Sequence, residues 1–164
     1  MKSKYIFSEK KSNGILLTIT SVLAIVITTL IFQGVLSRSA SAEETITVYK
    51  SPTCGCCKKW VSHLEKNGFT VISKNTSNVN QYKKKAGLKP GLASCHTAFV
   101  DGYAIEGHVP ANDIKRLLKE RPDVKGLTVP GMPMGSPGME GPRKDRYSVL
   151  TFDESGKTTV YSSH

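Results

Sequence analysis

Three of the chain's four cysteines lie within four consecutive positions, Cys54, Cys56 and Cys57. This segment contains a Cys-x-x-Cys spacing, which is typical of dithiol redox motifs, with a third thiol inside it. We predict that it opens a helix, because Trp60, Val61 and Leu64 recur at helical spacing directly after it. A helix N-terminus has unpaired N–H groups and a partial positive charge, both of which favour thiolate over thiol. The pattern therefore predicts sulfur with lowered pKa values, suited to redox chemistry or metal binding.

Other side chains with soft or borderline donor atoms lie further along the chain. The fourth cysteine, Cys95, is followed directly by His96. His108 follows a predicted strand, where it is interpreted either as a ligand or as a hydrogen-bonded structural histidine. Met132 and Met134 lie in a Gly/Pro-rich segment, and their thioethers either bind a soft metal or cover apolar surface. No phosphate-binding glycine loop and no Ser-His-Asp or paired-carboxylate pattern is present, so the sequence gives no support for a kinase or a hydrolase.

The predicted elements follow the order strand, helix, strand, helix, hairpin, helix. The strands and hairpin are β-branched or alternating segments, and Asn78 and Asn112 are predicted to cap the later helices. After the first helix come Phe69–Ile72, a helix through Tyr82 to Ala86, and the hairpin Thr97–Glu106 around Asp101-Gly102. This order predicts an α/β, thioredoxin-like domain, beginning with a strand at Thr45–Tyr49. Added to it are a Gly/Pro/Met-rich loop, Gly126–Pro142, and a C-terminal hairpin of residues 147–152 and 157–161.

In this topology the turn that carries Cys95 lies against the N-terminus of the first helix. All four sulfurs are therefore expected to converge, with His96 beside them. Four thiolates with an imidazole suit a soft metal ion such as copper. The alternatives are structural disulfides, a redox pair and a zinc site. Two unstrained disulfides are hard to build, however, because Cys56 and Cys57 are adjacent, and zinc sites usually combine two separated pairs.

The charge and the first forty residues bear on location. The formal net charge is +10, but part of it lies on four lysines that precede an uncharged apolar stretch, residues 15–36, so nucleic-acid binding is not predicted. The small residues Ala40 and Ala42 then complete the pattern of a secretory signal peptide. The apolar stretch is also long enough to cross a bilayer. Residues 1–42 are thus predicted to be a signal peptide or a membrane anchor. Residues 43–164 are predicted to be a metal-binding domain in the periplasm or another oxidising, extracytoplasmic compartment.

Several charged side chains are interpreted as structural surface rather than as part of a site. His63, on the outer face of the first helix, is expected to be solvated. The same holds for the lysine run Lys83–Lys85 and for Lys115 and Arg116, whereas His164 is expected to be frayed.

Four segments, in the same order, resemble an exported family described as a domain of unknown function, whose better-known members are the CopG copper-resistance proteins. They are residues 47–60 with the Cys-x-Cys-Cys group, 94–98 with Cys95-His96, 105–111 with His108, and 129–140 with the methionines. The resemblance spans roughly residues 45–161. It implies a thioredoxin-like fold, an extracytoplasmic location, and copper held by Cys54, Cys56, Cys57 and Cys95. His96, His108, Met132 and Met134 lie in matching motifs and are further candidate ligands.

The sequence and the resemblance together predict an extracytoplasmic protein that binds Cu(I) through clustered thiolates. Sulfur ligands without a carboxylate suit a soft monovalent ion. Such a site is compatible with oxidation or reduction of bound copper, and a copper-handling partner protein is expected. Two alternatives stay open: a thiol–disulfide oxidoreductase that uses the Cys-x-x-Cys spacing, and a passive copper carrier.

Overall fold

The computed structural model describes residues 44–164. The predicted signal peptide or anchor at 1–42, with its apolar stretch at 15–36, lies outside the described residues. Within the described range, none of the helices has the length and apolar character needed to traverse a bilayer. The described part of the chain forms three helices and seven strands in the order β1 Thr45–Lys50, α1 Gly55–Lys66, β2 Thr70–Asn75, α2 Asn80–Lys85, β3 His96–Val100, β4 Tyr103–Glu106, α3 Ala111–Glu120, β5 Gly126–Thr128, β6 Ser148–Phe152 and β7 Thr158–Ser163.

The starts of the helices follow local capping chemistry, with two corrections. Val79 rather than the predicted Asn78 is the N-cap residue of α2, although the side chain of Asn78 accepts a hydrogen bond from the backbone N–H of Gln81 at 3.3 Å. The prediction that Asn112 caps α3 is wrong, because Pro110 occupies the N-cap position and Asn112 lies inside the first turn. Proline suits this place, since the N-cap residue has an extended backbone and proline's fixed φ is compatible with it.

All seven strands belong to one mixed sheet, in the order β2-β1-β3-β4-β5-β6-β7. β1 pairs in parallel with β2 and antiparallel with β3. β3 and β4 form the predicted hairpin around Asp101 and Gly102, which is confirmed. The predicted C-terminal hairpin is also present as the antiparallel pair β6 and β7. The predicted order of strands and helices up to α3 is therefore confirmed.

The predicted loop Gly126–Pro142 is wrong at its start. Gly126–Thr128 is the buried strand β5, which pairs in parallel with β4 and antiparallel with β6. The strand was missed because three residues are too few to show strand alternation in the sequence. Glycine is required at position 126, since the backbone of Ala104 packs so closely against it that a Cβ has no room there. Because of β5, the C-terminal hairpin continues the same sheet.

Two apolar clusters cover the opposite faces of the sheet. The larger one packs α1 and α3 against the strands through buried side chains that include Trp60, Leu64, Ile114 and Leu117. The smaller one contains Ala86, Ala104 and Phe152. Neighbouring residues of β3 and β4 divide between the two clusters, as strand geometry requires. The larger cluster fixes α1 on the sheet and so fixes the position of the cysteines at its N-terminus.

Candidate metal centre

The Cys-x-Cys-Cys segment lies at the N-terminus of α1, as predicted. Cys54 is the N-cap residue, and its sulfur accepts a hydrogen bond from the backbone N–H of Cys57 at 3.3 Å. Cys57 is buried, whereas Cys54 and Cys56 are partly exposed. Cys54 and Cys57 form a disulfide, and Cys56 and Cys95 are free thiols. The segment is therefore in an oxidised form in which the Cys-x-x-Cys pair is closed.

The expected convergence of four sulfurs is confirmed. The Sγ atom of Cys95 lies 3.4 Å from that of Cys57 and 4.0 Å from that of Cys56. Cys56 and Cys54 place their sulfurs 3.4 Å apart, and all four Sγ atoms lie within 4.8 Å of one another. With a metal–sulfur bond of about 2.3 Å, as in zinc thiolates, two sulfurs on one ion are at most about 4.6 Å apart. The three contacts fall within that limit.

His108 is oriented as a ligand or hydrogen-bond partner of Cys95. Its ring is buried, with Nδ1 2.8 Å from the carbonyl oxygen of Pro137 and Nε2 3.0 Å from the Sγ atom of Cys95. Because a carbonyl only accepts, Nδ1 donates, and Nε2 of the neutral ring presents its lone pair toward the sulfur. Burial lowers the pKa of His108, and the bond to Pro137 and the charge of Glu140 oppose that effect. A neutral imidazole oriented by a backbone carbonyl is the form that binds metals.

His96 contacts the same sulfur, and its ring lies 5.1 Å from the ring of His108 in an edge-to-face arrangement. Its Nδ1 lies 3.3 Å from the Sγ atom of Cys95, and its ring packs against Trp60. The pKa of His96 lies well below its ordinary value, first because of burial and then because of His108 and Lys83. Its Nε2 is the single buried side-chain nitrogen or oxygen atom without a hydrogen-bond partner between residues 44 and 164. The sulfur of Cys95 and the two imidazoles thus form a second group of donors, all within 4.8 Å of one another.

The pKa of the Cys95 thiol is raised, whereas the thiol pKa values were expected to be lowered. Burial, followed by repulsion from Cys56, raises the pKa of Cys95 to about 12. The expectation was wrong for this residue because Cys95 lies on a turn between α2 and β3 and not at the positive end of its own helix. Its thiol carries a proton at neutral pH, and binding a metal there displaces that proton.

Comparisons with known proteins identify the family of this chain. Residues 92–139 match the family model described as "Protein of unknown function, DUF411". A solved structure titled "Copper resistance protein copG- Form 2" is 45% identical, with a TM-score of 0.70, and the match covers 74% of this chain and 98% of that chain. "Copper resistance protein copG- Form 1" is also 45% identical, with a TM-score of 0.69 and coverage of 73% and 96%. The chain belongs to the CopG family. No curated protein matches it. Family membership and the cysteine cluster together support a copper-related function.

The CopG-like segment at 129–140 is a loop that packs on the site. Gly138 has a φ of +85°, and a Cβ there would lie 2.7 Å from the carbonyl oxygen of Cys56. The preceding residue supplies the carbonyl that orients His108. Gly131 accepts a hydrogen bond at its carbonyl from the hydroxyl of Ser94, and its N–H donates to Ala93 at 3.1 Å. The loop thus contacts both segments that carry cysteines.

The two candidate methionine ligands lie in this loop. Met132 is 52% exposed and follows Gly131. The N–H of Gly131 donates a hydrogen bond to the carbonyl of Ala93, in the turn of residues 93–95 that precedes β3 (the Cys95 turn). Met134 is partly buried, and its sulfur packs beside Gly141. Their role as copper ligands stays a prediction.

Three side chains that were interpreted as surface or frayed make specific contacts. The Nε2 atom of His63 accepts a hydrogen bond from the backbone N–H of Ala111 at 3.1 Å, which satisfies one of the free N–H groups at the start of α3. His164 is bonded to Asp113 at 2.8 Å, so the interpretation of a frayed end is wrong. Lys83 forms an ion pair with the buried carboxylate of Glu106, unlike its neighbours Lys84 and Lys85, which are exposed.

Sequence reasoning missed Glu106 because a single acid at the end of a strand gives no periodic signal. The indication that the sequence offers is that Glu106 ends the otherwise apolar predicted strand Tyr103–Glu106, whose residues are all buried in the structure. A carboxylate in such a strand requires a partner.

Proposed function

We propose that the protein binds Cu(I) through the thiolates of Cys54, Cys56, Cys57 and Cys95, with the imidazoles of His96 and His108 at the edge of the cluster. The observation that carries the proposal is the convergence of four sulfurs from two separate parts of the chain. Thiolate and imidazole donors without a carboxylate suit a soft monovalent ion, and bridging thiolates can hold more than one ion. The names of the solved relatives, copper resistance proteins, agree with this choice of metal. Met132 and Met134 are proposed as further soft donors in the adjoining loop.

Binding through four thiolates requires reduction of the Cys54–Cys57 disulfide. A two-electron reductant converts the disulfide to two thiols, and these lose their protons when copper binds. In the oxidised form, Cys56 and Cys95 are the free thiols. We therefore expect the reduced protein to hold more copper than the oxidised protein, and we propose that the same site can support oxidation or reduction of copper in copper resistance.

The closed Cys-x-x-Cys pair supports a second candidate function, thiol–disulfide exchange with exported proteins. The disulfide lies at the start of a helix, with the Cys95 sulfur 3.4 Å from Cys57. A dithiol enzyme needs Cys54 and Cys57 but tolerates Cys56→Ser and Cys95→Ser. A copper cluster loses metal when any of the four cysteines is replaced. A passive copper carrier, the third alternative, binds copper to the same extent but transfers no electrons.

The test is anaerobic copper loading of the reduced full-length chain, followed by elemental analysis and thiol titration. Protection of four thiols per chain, and loss of copper in each single Cys→Ser variant, would support the copper cluster. If reduced protein retains no copper and the metal-free protein reduces insulin at the rate of a dithiol enzyme, the exchange function replaces it. Electron transfer with an added oxidant or reductant separates a copper oxidoreductase from a carrier.

We further propose that β1–β4 with the three helices form a thioredoxin-like core, that residues 43–164 are the functional domain, and that this domain works outside the cytoplasm with a copper-handling partner protein. The β2-β1-β3-β4 order, with β1 and β2 parallel and β3 and β4 antiparallel, supports the core. The pattern of residues 1–42 and the copper-resistance relatives support export. Cell fractionation with N-terminal sequencing tests both the location and the cleavage of residues 1–42.

A further inference from the structure

The carboxylate of Glu106 is completely buried and makes three polar contacts. Its Oε1 atom accepts a hydrogen bond from the backbone N–H of Ser94 at 2.6 Å and forms the ion pair with Lys83. Its Oε2 atom accepts a hydrogen bond from the hydroxyl of Thr97 at 2.7 Å. Both carboxylate oxygens are therefore satisfied, as a buried charge requires.

Two of these contacts flank Cys95 in the sequence. Ser94 immediately precedes the cysteine and Thr97 follows it by two residues, so the Glu106 carboxylate binds the turn on both sides of the thiol. The next two residues of the chain continue this contact: the N–H of Gly107 donates to the carbonyl of His96 at 3.1 Å, and His108 meets the Cys95 sulfur. Three consecutive residues at and after the end of β4 thus hold the turn that carries the fourth cysteine.

Lys83 compensates the charge of this carboxylate. Its side chain is 13% exposed, and its ammonium group also lies 3.4 Å from the hydroxyl of Thr97. A buried carboxylate without a partner is strongly destabilising, because its desolvation is then not compensated. A lysine from α2 therefore allows a charged acid to sit beside a site where thiolates form.

We infer that Glu106, neutralised by Lys83, is a positioning residue that sets the backbone of residues 94–97, where the Cys95 turn leads into β3, so that the Cys95 thiol meets the sulfurs of α1. This inference rests on the proposed function for its purpose, but the placement of the thiol is measurable without copper. Glu106 acts through Cys95 and does not itself contact a sulfur.

The first experiment measures how readily Cys95 meets Cys57. In a Cys54→Ser/Cys56→Ser background these are the remaining cysteines of the chain, and their sulfurs are 3.4 Å apart in the native protein. Diamide joins them by accepting the two electrons and two protons of the thiols, and the rate is followed by mass spectrometry. Adding Glu106→Ala is expected to slow this cross-link at least about tenfold, because it removes the hydrogen bonds that hold the residues on both sides of Cys95.

The matched control is Asp113→Ala in the same background. Asp113 is also a buried carboxylate, but its partners are Arg116 and His164 rather than Lys83 and the Cys95 turn. It is expected to lower stability without slowing the cross-link. Equal rates in Glu106→Ala and in the background protein would overturn the inference, as would equal slowing in both carboxylate variants.

A second variant keeps the test decisive if Glu106→Ala does not fold. Glu106→Gln combined with Lys83→Met removes both charges but keeps an acceptor for the Ser94 N–H and a polar group for Thr97. We expect this double variant to cross-link at a rate within about threefold of the Cys54→Ser/Cys56→Ser protein, because hydrogen bonding rather than charge fixes the backbone of the Cys95 turn. A folded double variant that cross-links at least tenfold more slowly would contradict positioning by these hydrogen bonds.

Copper loading of the protein with all four cysteines shows whether the positioning role of Glu106 or the proposed copper binding is at fault when one of them fails. If the wild-type chain binds no copper but Glu106→Ala slows the cross-link, the positioning role stands and the copper function fails. If Glu106→Ala, introduced into the wild-type chain, retains full copper and the same Cu(I)–thiolate ultraviolet absorption, the positioning role is wrong while the copper function stands.

Discussion

The two segments that carry cysteines are held in place by different means. The Cys-x-Cys-Cys segment depends on local contacts. Cys54 caps α1, and its sulfur accepts a hydrogen bond from the backbone N–H of Cys57, three residues later. The Cys95 turn depends on contacts with distant residues, including Glu106, His108 and Gly131. Three of the four cysteines are therefore positioned by a helix start, whereas Cys95 is positioned only when β4 and the 129–140 loop are in place. We therefore expect substitutions around the Cys95 turn to lower the stability of the fold more than substitutions at the start of α1.

The largest difference is expected between Gly107→Ala and Gly55→Ala. Gly107 has a φ of +72°, and a Cβ there would lie 2.5 Å from the Cβ of Ser94 and 2.8 Å from the carbonyl oxygen of Val129. Backbone strain and overpacking together should lower the free energy of unfolding by about 3 kcal/mol or more. Gly55 has no atom within 4 Å of such a Cβ, so alanine at this helix start should change stability by less than about 1 kcal/mol.

Urea unfolding of the two variants measures this pair. Comparable losses of stability in both would contradict the conclusion that the Cys95 side of the site is the more tightly constrained one.

A smaller loss is expected from Gly138→Ala, where the loop meets α1. The added Cβ would approach the carbonyl oxygen of Cys56 at 2.7 Å and the backbone nitrogen of Trp60 at 2.9 Å. The strained φ and these close contacts should together cost about 2 kcal/mol and weaken the hydrogen bond from His108 to the carbonyl of Pro137. Gly131→Ala is the control, since Gly131 also has a positive φ but no atom within 4 Å of its Cβ position. The two variants are compared by thermal unfolding, and equal losses would mean that the contact with α1 contributes nothing.

The raised pKa of Cys95 predicts a pH dependence of copper binding. Because this pKa is about 12 when the Cys54–Cys57 disulfide is closed, and additional thiols nearby do not favour a further negative charge, we expect the thiol to be protonated near pH 7 and to lose its proton when Cu(I) binds. The contribution of this proton makes the affinity rise by about tenfold per pH unit. Competition with a Cu(I) chelator between pH 6 and 8 measures it. When the logarithm of the Cu(I) affinity is plotted against pH, the slope for wild type should exceed that for Cys95→Ser by about one, which corresponds to one released proton. Identical slopes would contradict the prediction.

The smallest effect is expected at Glu140, in the loop beside α1. Its side chain accepts a hydrogen bond from the N–H of Gly138 at 2.7 Å, and this bond is the main reason that the pKa of Glu140 is lowered. A lowered carboxyl pKa stabilises the fold at pH values above the ordinary pKa, and that contribution disappears as the pH falls through the lowered value. Because Glu140 is exposed, Glu140→Gln should cost under about 1 kcal/mol at pH 7.

Urea unfolding at pH 7 and at pH 3 checks the sign of this effect. The difference between wild type and Glu140→Gln should shrink at the lower pH. A difference that grows on acidification would show that the carboxylate does not act through its charged form.

Much of the fold was predictable because its elements have local signals. The spacing of Trp60 and Leu64 predicted α1, and the Asp101-Gly102 turn predicted the β3–β4 hairpin. β5 was missed because three residues carry no periodicity, and Asn112 was chosen as a cap although Pro110 occupies that position. Lys83, His63 and His164 were interpreted as surface or frayed because their partners, Glu106, Ala111 and Asp113, are between 23 and 51 residues away.

The amino-acid sequence on its own determined the kind of donor atoms, the placement of three thiols at a helix start, and membership in the CopG family. These follow from residue type and short spacing, which act over a few neighbouring residues. The predicted topology also anticipated that Cys95 meets the other sulfurs. Only the folded chain decided that the Cys95 thiol is protonated at neutral pH and that a buried Lys83–Glu106 pair holds its turn. Those properties depend on burial and on contacts between segments far apart in sequence, and no local pattern of residues encodes them.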